Sequence, residues 1–324
     1  MLISMVLLFI YISLKTQSNH VYTFSKVNIV KESIPPSPGI KHPSDFVSPY
    51  NYTFTLNEPD KCQHKDVFLV LLITTRVNVF AARFAIQKTW GNESLLPGVS
   101  IVRLFLVGID KHFPDLLQEL LKEESMLFHD IIQQNFMDSY FNLTIKTLMG
   151  LQWVNTFCPK ASYIIKLDGD IFLNTEHLVR LLNLNMPTKV NYFTGYVIRG
   201  TAPFRDSASK YYAPYELYEP DYYPPYCGGS AYVFSGDVAK KIYDIAHVIK
   251  PFNIEDAFIG VCLKKQGIKI TEREKTLFYG HNIEYETCRF SELISVHYFY
   301  PEELLKIWPV FLKSKDACQS AKGN

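Results

Sequence analysis

Apolar and polar positions along the chain form blocks that predict buried strands alternating with helices. The continuous apolar runs are typical of strands covered on both faces, and the segments between them repeat at helical spacing. Strands are predicted at 67–73, 101–107 and 163–167, and helices at 80–90, 114–124 and 142–157. This alternation predicts an α/β fold in which a doubly wound, mostly parallel sheet is flanked by helices.

Asp168, Gly169 and Asp170 follow the third strand directly. In a doubly wound sheet, ligands bind beyond the carboxyl ends of the strands. Carboxylates at positions i and i+2 of an extended segment lean the same way, and hard oxygen ligands suit Mn²⁺ or Mg²⁺ on a diphosphate. Taken alone, the same three residues are also ordinary turn chemistry. The chain has no glycine-rich phosphate loop, which disfavours a dinucleotide dehydrogenase and a P-loop enzyme.

The N-terminal part predicts entry into the secretory pathway. Residues 2–14 carry no charge and would form about 20 Å of helix, short of the roughly 30 Å hydrocarbon core. A cleaved signal peptide and an uncleaved anchor both fit this length, and the lack of a small-x-small cleavage site favours the anchor. We therefore expect a short membrane anchor at 1–15, a Pro-rich lumenal stem at 16–60 and a catalytic domain at 61–324.

Cysteine usage and glycosylation motifs agree with a lumenal destination. Three Asn-x-Ser/Thr motifs begin at Asn51, Asn92 and Asn142. The six cysteines are scattered, which predicts three disulfides in an oxidising compartment but leaves 15 connectivities open. The net charge of +1 gives no electrostatic argument for a nucleic acid partner.

Several blocks resemble one family. Residues 83–91, Arg-Phe-Ala-Ile-Gln-Lys-Thr-Trp-Gly, are similar to the Arg-x-Ala-Ile-Arg-x-Thr-Trp-Gly segment of the β1,3-galactosyltransferases and their β1,3-N-acetylglucosaminyltransferase relatives. Further blocks follow in family order over roughly residues 65 to 318. They lie at 130–133, 136–147, 166–174, 192–196, 223–235 and 255–260.

The resemblance implies a type II Golgi membrane protein with a GT-A fold. Such an enzyme moves galactose from UDP-galactose to the 3-hydroxyl of an acceptor glycan with inversion, here expected to be a terminal N-acetylglucosamine on a glycoprotein or glycolipid. Two alternatives stay open: a β1,3-N-acetylglucosaminyltransferase and a non-catalytic Golgi glycan-binding relative. Metal-dependent phosphoester hydrolysis would need more clustered His and Asp ligands than this chain offers.

The resemblance also assigns the donor side of the site. Asp170 corresponds to the metal-binding end of the family's Asp-x-Asp motif, with Asp168 and Gly169 beside the donor. The second ligand to Mn²⁺ or Mg²⁺ is expected to be His297, with His281 as its rival. Thr75, at the end of the first strand, is expected in the uridine pocket.

On the acceptor side, Asp256 resembles the Asp of the family's Glu-Asp-Val block and is the candidate general base. Its neighbour Glu255 is explained by the preference for acids at a helix N-terminus. Arg83 is expected to face the nucleotide.

Two departures from the family pattern, Gln87 and Asn135, remove charge near the presumed donor site. Ahead of Cys227 lies a Pro-rich loop whose aromatic rings can stack on sugars or pack the loop down. The resemblance implies the disulfides Cys62–Cys158, Cys227–Cys262 and Cys288–Cys318.

Overall fold

The structure, a computed structural model, describes residues 51–272 and 277–320, which belong to a compact unit spanning His42–Asn324. The anchor expected at 1–15 and most of the stem lie outside the described residues. Within the described ranges, no helix is long and apolar enough to cross a membrane.

A seven-stranded sheet forms the centre of the fold, in the order β1-β4-β3-β2-β5-β8-β7. Its four inner strands β4, β3, β2 and β5 are parallel, whereas β1, β8 and β7 are antiparallel to their neighbours. The mostly parallel α/β class predicted from the sequence is confirmed. The strands are β1 Phe54–Leu56, β2 Leu69–Thr74, β3 Ile101–Ile109, β4 Ile131–Met137, β5 Tyr163–Asp168, β7 Phe193–Ile198 and β8 Tyr226–Ser235.

Three short strands make a second sheet beside the carboxyl end of β5. They are β6 Ile171–Leu173, β9 Phe278–Tyr279 and β10 Ser295–His297, in the order β6-β10-β9. β10 runs antiparallel to β6 and parallel to β9. This small sheet joins two parts of the chain that are more than a hundred residues apart.

Helices cover both faces of the large sheet. Leu69, Leu71 and Ile73 of β2 face one apolar core, while Val70 and Leu72 face another, and all five are fully buried. A strand covered on both faces needs no polar alternation, which explains the continuous apolar run. The helices are α1 Phe80–Lys88, α2 Pro114–Phe128, α3 Leu143–Phe157, α4 Thr175–Leu182, α5 Gly236–Ala246, α6 Glu255–Lys265, α7 Thr287–Glu292 and α8 Pro301–Ser320; a 3-10 turn covers Tyr140–Asn142.

One boundary differs from the sequence prediction. β1 lies inside the segment assigned to the stem, yet it pairs with β4 as the edge strand of the main sheet. The backbone N–H of Thr53 donates to Asn135 Oδ1 (2.9 Å), which fixes the start of this strand. Asn135 therefore serves the edge of the sheet, two strands away from β2.

Two of the three predicted disulfides form. Cys62 is bonded to Cys158, and Cys288 to Cys318. The third prediction is wrong for this structure, because Cys227 on β8 and Cys262 on α6 are both buried free thiols. Burial raises the pKa of each thiol to about 12, so both stay protonated and have little tendency to react.

Candidate active site

The site begins where the strand order reverses, between β2 and β5. Thr74 and Asp168 are the last residues of these neighbouring parallel strands and lie in register. The Thr74 hydroxyl donates to Asp168 Oδ1 at 2.9 Å. A crevice at the carboxyl ends of strands at such a reversal is the usual ligand site of an open α/β sheet.

The small sheet brings His297 to this crevice. β10 pairs with β6 so that His297 lies opposite Ile171, the residue after Asp170. The backbone N–H of Phe299 donates to the carbonyl of Asp170 at 2.9 Å, which closes the pairing. Behind it, Phe172 packs on Phe290, Phe299, Trp308 and Phe311 at ring distances of 5.0–5.9 Å. This aromatic cluster holds Asp170 and His297 in fixed relation.

Asp168, Asp170 and His297 form a set of metal-ligating groups. Each offers one ligand atom, and these atoms lie within 4.8 Å of one another. His297 Nε2 is 3.0 Å from Asp170 Oδ1 and 3.9 Å from Asp168 Oδ2. Burial lowers the pKa of His297, but the hydrogen bond and charge of Asp170, then Asp168 and the Gly280 carbonyl, raise it above its ordinary value.

These residues fit a divalent metal by chemistry as well as by distance. Nε2 of His297 faces the carboxylates, and a neutral imidazole nitrogen is a common metal ligand. Two carboxylates with one imidazole suit Mn²⁺ better than Ca²⁺ or Mg²⁺, which prefer all-oxygen sites.

The rival histidine is not part of this group. His281 is exposed and makes an edge-to-face contact with the ring of Tyr279, with ring centroids 5.4 Å apart. Gly169 lies between the two aspartates, and a Cβ there would come within 2.8 Å of Thr75 Cγ2 and 3.2 Å of the Thr74 carbonyl. Glycine therefore lets β5 approach β2 closely, and a larger residue would require Thr75 to move.

Thr75 has an orphaned hydroxyl at the floor of the crevice. Thr75 Oγ1 is buried and has no hydrogen-bond partner among the described residues. Its backbone carbonyl accepts a hydrogen bond from Lys146 Nζ (2.6 Å), and Lys146 also pairs with Asp138 at 2.7 Å. Burial lowers the pKa of Lys146, despite Asp138. An unsatisfied hydroxyl at this position is suited to a polar ligand atom.

Arg83 lies below the crevice wall and does not face it. The guanidinium is fully buried, forms an ion pair with Glu124 at 2.6 Å, and donates to the carbonyls of Arg76 and Val77. The bonds to the two carbonyls hold the turn after β2, and the ion pair connects that turn to α2. In this geometry the Arg83 side chain turns inward and positions the loop that begins at Thr75; that Arg83 faces the nucleotide stays a prediction.

A buried lysine connects the metal-ligating group with the candidate base. Lys166 Nζ lies 2.8 Å from Asp168 Oδ1, 2.6 Å from the Gly229 carbonyl and 3.7 Å from Glu255 Oε2. Burial lowers the pKa of Lys166, but Asp168 and Glu255 more than offset this and raise it. Sequence analysis missed this residue, although it is the single charge inside the apolar run of β5.

The two acids at the start of α6 have different surroundings. Glu255 is buried and accepts hydrogen bonds from the hydroxyls of Thr147 (3.0 Å) and Tyr232 (2.5 Å). It is therefore an interior anchor rather than only a charge at a helix end. Asp256 is half-buried and accepts from the N–H groups of Ala257 (2.8 Å) and Gly229 (3.0 Å).

The surroundings of Asp256 hold its carboxylate in place and raise its pKa. Burial raises the pKa of Asp256, and the N–H groups of Ala257 and Gly229 and the charge of Lys166 reverse only part of that rise. Lys166 also donates to the Gly229 carbonyl, so one side chain contacts both the residue whose N–H holds Asp256 and the carboxylate of Asp168. A carboxylate with a raised pKa, fixed beside a crevice, is suited to accept a proton.

Gln87 lies away from the crevice. Its Nε2 donates to Asp130 Oδ2 at 2.9 Å, and Asp130 is also paired with Arg103 at 2.5 Å. Asp130 directly precedes β4, so this group is at the amino ends of the parallel strands, opposite the site. The charge lost by having glutamine at this position is therefore remote from Asp168.

Comparison with known proteins defines the family. The galactosyltransferase family profile matches residues 81–274. Human beta-1,3-galactosyltransferase 2 is 45% identical over 286 residues, covering 87% of this chain and 67% of that protein. Mouse beta-1,3-galactosyltransferase 1 is 44% identical over 263 residues, covering 81% of this chain and 79% of that protein. The chain belongs to the galactosyltransferase family, and the resemblance of its sequence blocks is confirmed.

The solved structures similar to this chain include distant glycosyltransferases. The match to the apo structure of the bifunctional glycosyltransferase WbbM covers 82% of this chain and 52% of the WbbM chain, with a TM-score of 0.40 and 12% sequence identity.

Proposed function

We propose that this protein is an inverting, metal-dependent galactosyltransferase that moves galactose from UDP-galactose to the 3-hydroxyl of an acceptor glycan. Family membership supports the transfer of a hexose. The observation that carries the mechanism is the convergence of Asp168, Asp170 and His297, from two distant parts of the chain, at the carboxyl end of β5.

Asp170 and His297 would hold Mn²⁺ or Mg²⁺, with Asp168 beside it toward the donor. When bound, the metal supplies positive charge that neutralises the diphosphate of the departing UDP. Asp168 is oriented by the Thr74 hydroxyl and by Lys166. The orphaned Thr75 hydroxyl and the close approach at Gly169 support a nucleotide bound along this edge.

Inversion in one displacement requires a base on the face of the sugar opposite UDP. In this proposal Asp256 Oδ accepts the proton of the acceptor 3-hydroxyl while that oxygen forms the new bond to the sugar carbon, and the bond from this carbon to UDP breaks. Gly229 and Ala257 hold the carboxylate by their N–H groups, so Asp256 does not have to reorient. Glu255 is disfavoured in this role because it is buried, with Thr147 and Tyr232 on one oxygen and Lys166 3.7 Å from the other.

Galactose is the donor sugar favoured by the relatives, which are named beta-1,3-galactosyltransferases. A β1,3-N-acetylglucosaminyltransferase remains the second candidate because it shares the same sequence blocks. A non-catalytic glycan-binding relative is disfavoured, because metal-ligating and base residues are present together and Gln87 and Asn135 are remote from them.

A Golgi lumenal location completes the proposal. The disulfides Cys62–Cys158 and Cys288–Cys318 fit an oxidising compartment. Asn51 and Asn92 of two glycosylation motifs are exposed. The side chain of Asn142, in contrast, donates to the Met137 carbonyl at 2.7 Å, so glycosylation there would break a hydrogen bond.

The test is a transfer assay with the secreted lumenal part. It is incubated with Mn²⁺, a β-N-acetylglucosamine acceptor and UDP-galactose, UDP-N-acetylglucosamine or UDP-N-acetylgalactosamine, and the product linkage is determined by NMR. We expect β1,3-linked galactose that requires Mn²⁺. Transfer of N-acetylglucosamine alone would establish the second candidate, and metal-independent transfer would contradict the role of Asp170.

A further inference from the structure

Three exposed aromatic rings form a continuous surface beside the candidate base. Tyr140, Tyr211 and Phe204 are 37%, 39% and 53% exposed. The ring of Tyr211 lies between the other two, with centroids 6.3 Å from Tyr140 and 5.7 Å from Phe204. Exposed large apolar side chains that touch one another are less common than isolated ones and mark binding surfaces. We call these three residues the aromatic platform.

The loop that carries the platform is built by specific bonds. Phe204 bridges to Tyr212, and the N–H of Ala213 donates to the Phe204 carbonyl at 2.9 Å. Arg205 donates to the Ala213 carbonyl at 2.5 Å and stacks on the ring of Tyr215, 3.9 Å from its centroid. Phe204 and Tyr211 are therefore held in place while their rings stay open to solvent, which lowers the entropy cost of binding a ligand.

Two contacts attach the platform to the segment that bears the base. Asn253 Nδ2, two residues before Glu255, donates to the Tyr212 carbonyl at 3.3 Å. Tyr140 begins the 3-10 turn that leads into α3, and the Thr144 hydroxyl of α3 donates to the Phe252 carbonyl at 2.6 Å. The platform and Asp256 are thus parts of one bonded unit.

Electrostatics agree with this proximity. Burial raises the pKa of Tyr140, and the Tyr211 hydroxyl and the carboxylates of Asp256 and Asp168 raise it further. Tyr140 therefore lies within reach of the charges of both the base and the donor-side aspartate.

We propose that the aromatic platform is the acceptor subsite, on which the apolar face of a pyranose ring stacks while its 3-hydroxyl points to Asp256. Lys210 adds the polar part of this site. Its Nζ lies 4.8 Å from the centroid of Tyr211 and 5.5 Å from that of Tyr140. An ammonium over these rings can donate hydrogen bonds to sugar hydroxyl or amide oxygens.

A sugar fits this surface better than a protein partner does. Three rings with the Lys210 ammonium over two of them offer a small apolar area beside a hydrogen-bond donor, which matches the amphipathic character of one pyranose. A stable protein interface needs roughly 1,200–2,000 Å² of buried surface, far more than three partly buried rings supply. The inference rests on the proposed function in one respect, namely that the sugar bound here is the acceptor of galactosyl transfer.

The test compares Tyr211→Ala and Phe204→Ala with Tyr211→Phe, which keeps the ring, and with Tyr222→Ala as a matched control. Tyr222 lies in the same loop and is 64% exposed, but it is not part of the platform. For each variant, KM for methyl β-N-acetylglucosaminide, kcat and the Mn²⁺-dependent affinity for UDP are measured. Saturation-transfer NMR follows binding of the methyl glycoside without donor.

We expect each alanine variant of the platform to raise KM about tenfold and to weaken the saturation transfer, with UDP affinity unchanged. Tyr211→Phe and Tyr222→Ala should stay within about threefold of the wild type. An unchanged KM in both platform variants, or an equal loss in Tyr222→Ala, would overturn the inference while leaving galactosyl transfer intact. Conversely, a wild type that transfers no galactose but binds the glycoside through Tyr211 would overturn the proposed function and support the subsite.

Discussion

Two groups of buried charge lie at opposite ends of the same parallel strands, and only one of them is open. At the amino ends, Asp130 is fully buried and its Oδ2 accepts hydrogen bonds from Arg103 and Gln87. At the carboxyl ends, Lys166 neutralises Asp168, while the side chain of Asp170 is 48% exposed.

The difference shows how to separate structural charge from functional charge. The group at the amino ends is enclosed: Arg103 and Gln87 donate to one oxygen of Asp130, and the other oxygen is buried without a hydrogen-bond partner among the described residues. At the carboxyl ends, Thr74 and Lys166 bind one oxygen of Asp168, and the side chain of Asp170 is partly exposed. Carboxylates that are oriented and accessible in this way can bind a cation or accept a proton.

The largest predicted effect is that of Asp170→Ala, the change at the exposed end. Removing this ligand should lower transfer by at least about 10⁴-fold, because stabilisation of the leaving diphosphate by the metal is worth several kcal/mol. The melting temperature should change little, since the side chain is half exposed. Transfer rates and thermal melts measured on the same samples check both parts, and retained transfer would contradict the assignment of Asp170.

Asp256→Asn comes second. An amide of the same shape cannot accept the proton, so turnover should fall about 10²–10⁴-fold with UDP affinity nearly unchanged. Turnover is compared with UDP titration for this variant and for Glu255→Gln, whose effect should appear mainly in stability. A loss confined to UDP affinity in Asp256→Asn would show that the base lies elsewhere.

Lys166→Gln sharpens the comparison further, since it removes the charge that links the two halves of the open site. Turnover should fall on the order of 10–100-fold as Asp168 and the Gly229 peptide lose their partner. The base is active when deprotonated, so activity is present above the pKa of Asp256 and is lost as the pH falls through it. Because Lys166 lowers that pKa, the variant should move the acidic limb of the kcat/KM profile to higher pH. An acidic limb at the same pH in this variant would show that Lys166 does not act on the pKa of the base.

Asp130→Asn is the matched change at the closed end. Breaking a buried ion pair costs about 3–5 kcal/mol, so the melting temperature should fall on the order of 10 °C. Turnover per folded molecule should stay within about twofold of the wild type because the group is remote from the crevice. A selective loss of turnover or of UDP affinity would show that the two ends are coupled.

The smallest effect concerns the thiols. Denatured, unreduced protein should show two free thiols per chain, Cys227 and Cys262. Alkylation followed by peptide mapping identifies them. Their absence, with a third disulfide in the map, would restore the pairing expected from the family resemblance.

Features that depend on residues close together in the chain could be predicted from the sequence. The acids after the β5 run, the choice of His297 over His281, and most strand and helix positions follow from hydrophobic runs, spacing and family blocks. β5, for instance, was predicted at 163–167 and ends at Asp168.

Partners from distant parts of the chain were not predictable. Arg83 has the sequence features of a ligand contact, but its partner Glu124 is 41 residues away and turns it inward. Gln87 was expected near the donor site as a departure from the family pattern, yet α1 carries it toward the opposite end of the sheet, where it bonds to Asp130. The link from Lys166 to Gly229 depends on the pairing of β5 with β8, which no local pattern specifies.

The central claim, that metal and UDP bind between Asp170 and His297, is tested most directly by pulsed electron paramagnetic resonance of Mn²⁺ with UDP. With ¹⁵N-histidine in the protein, the wild type should show coupling of one histidine nitrogen to Mn²⁺, because His297 Nε2 lies among the carboxylates. This coupling should disappear in His297→Gln and persist in His281→Gln. A wild-type complex without histidine coupling, or one whose coupling survives in His297→Gln, would contradict the account.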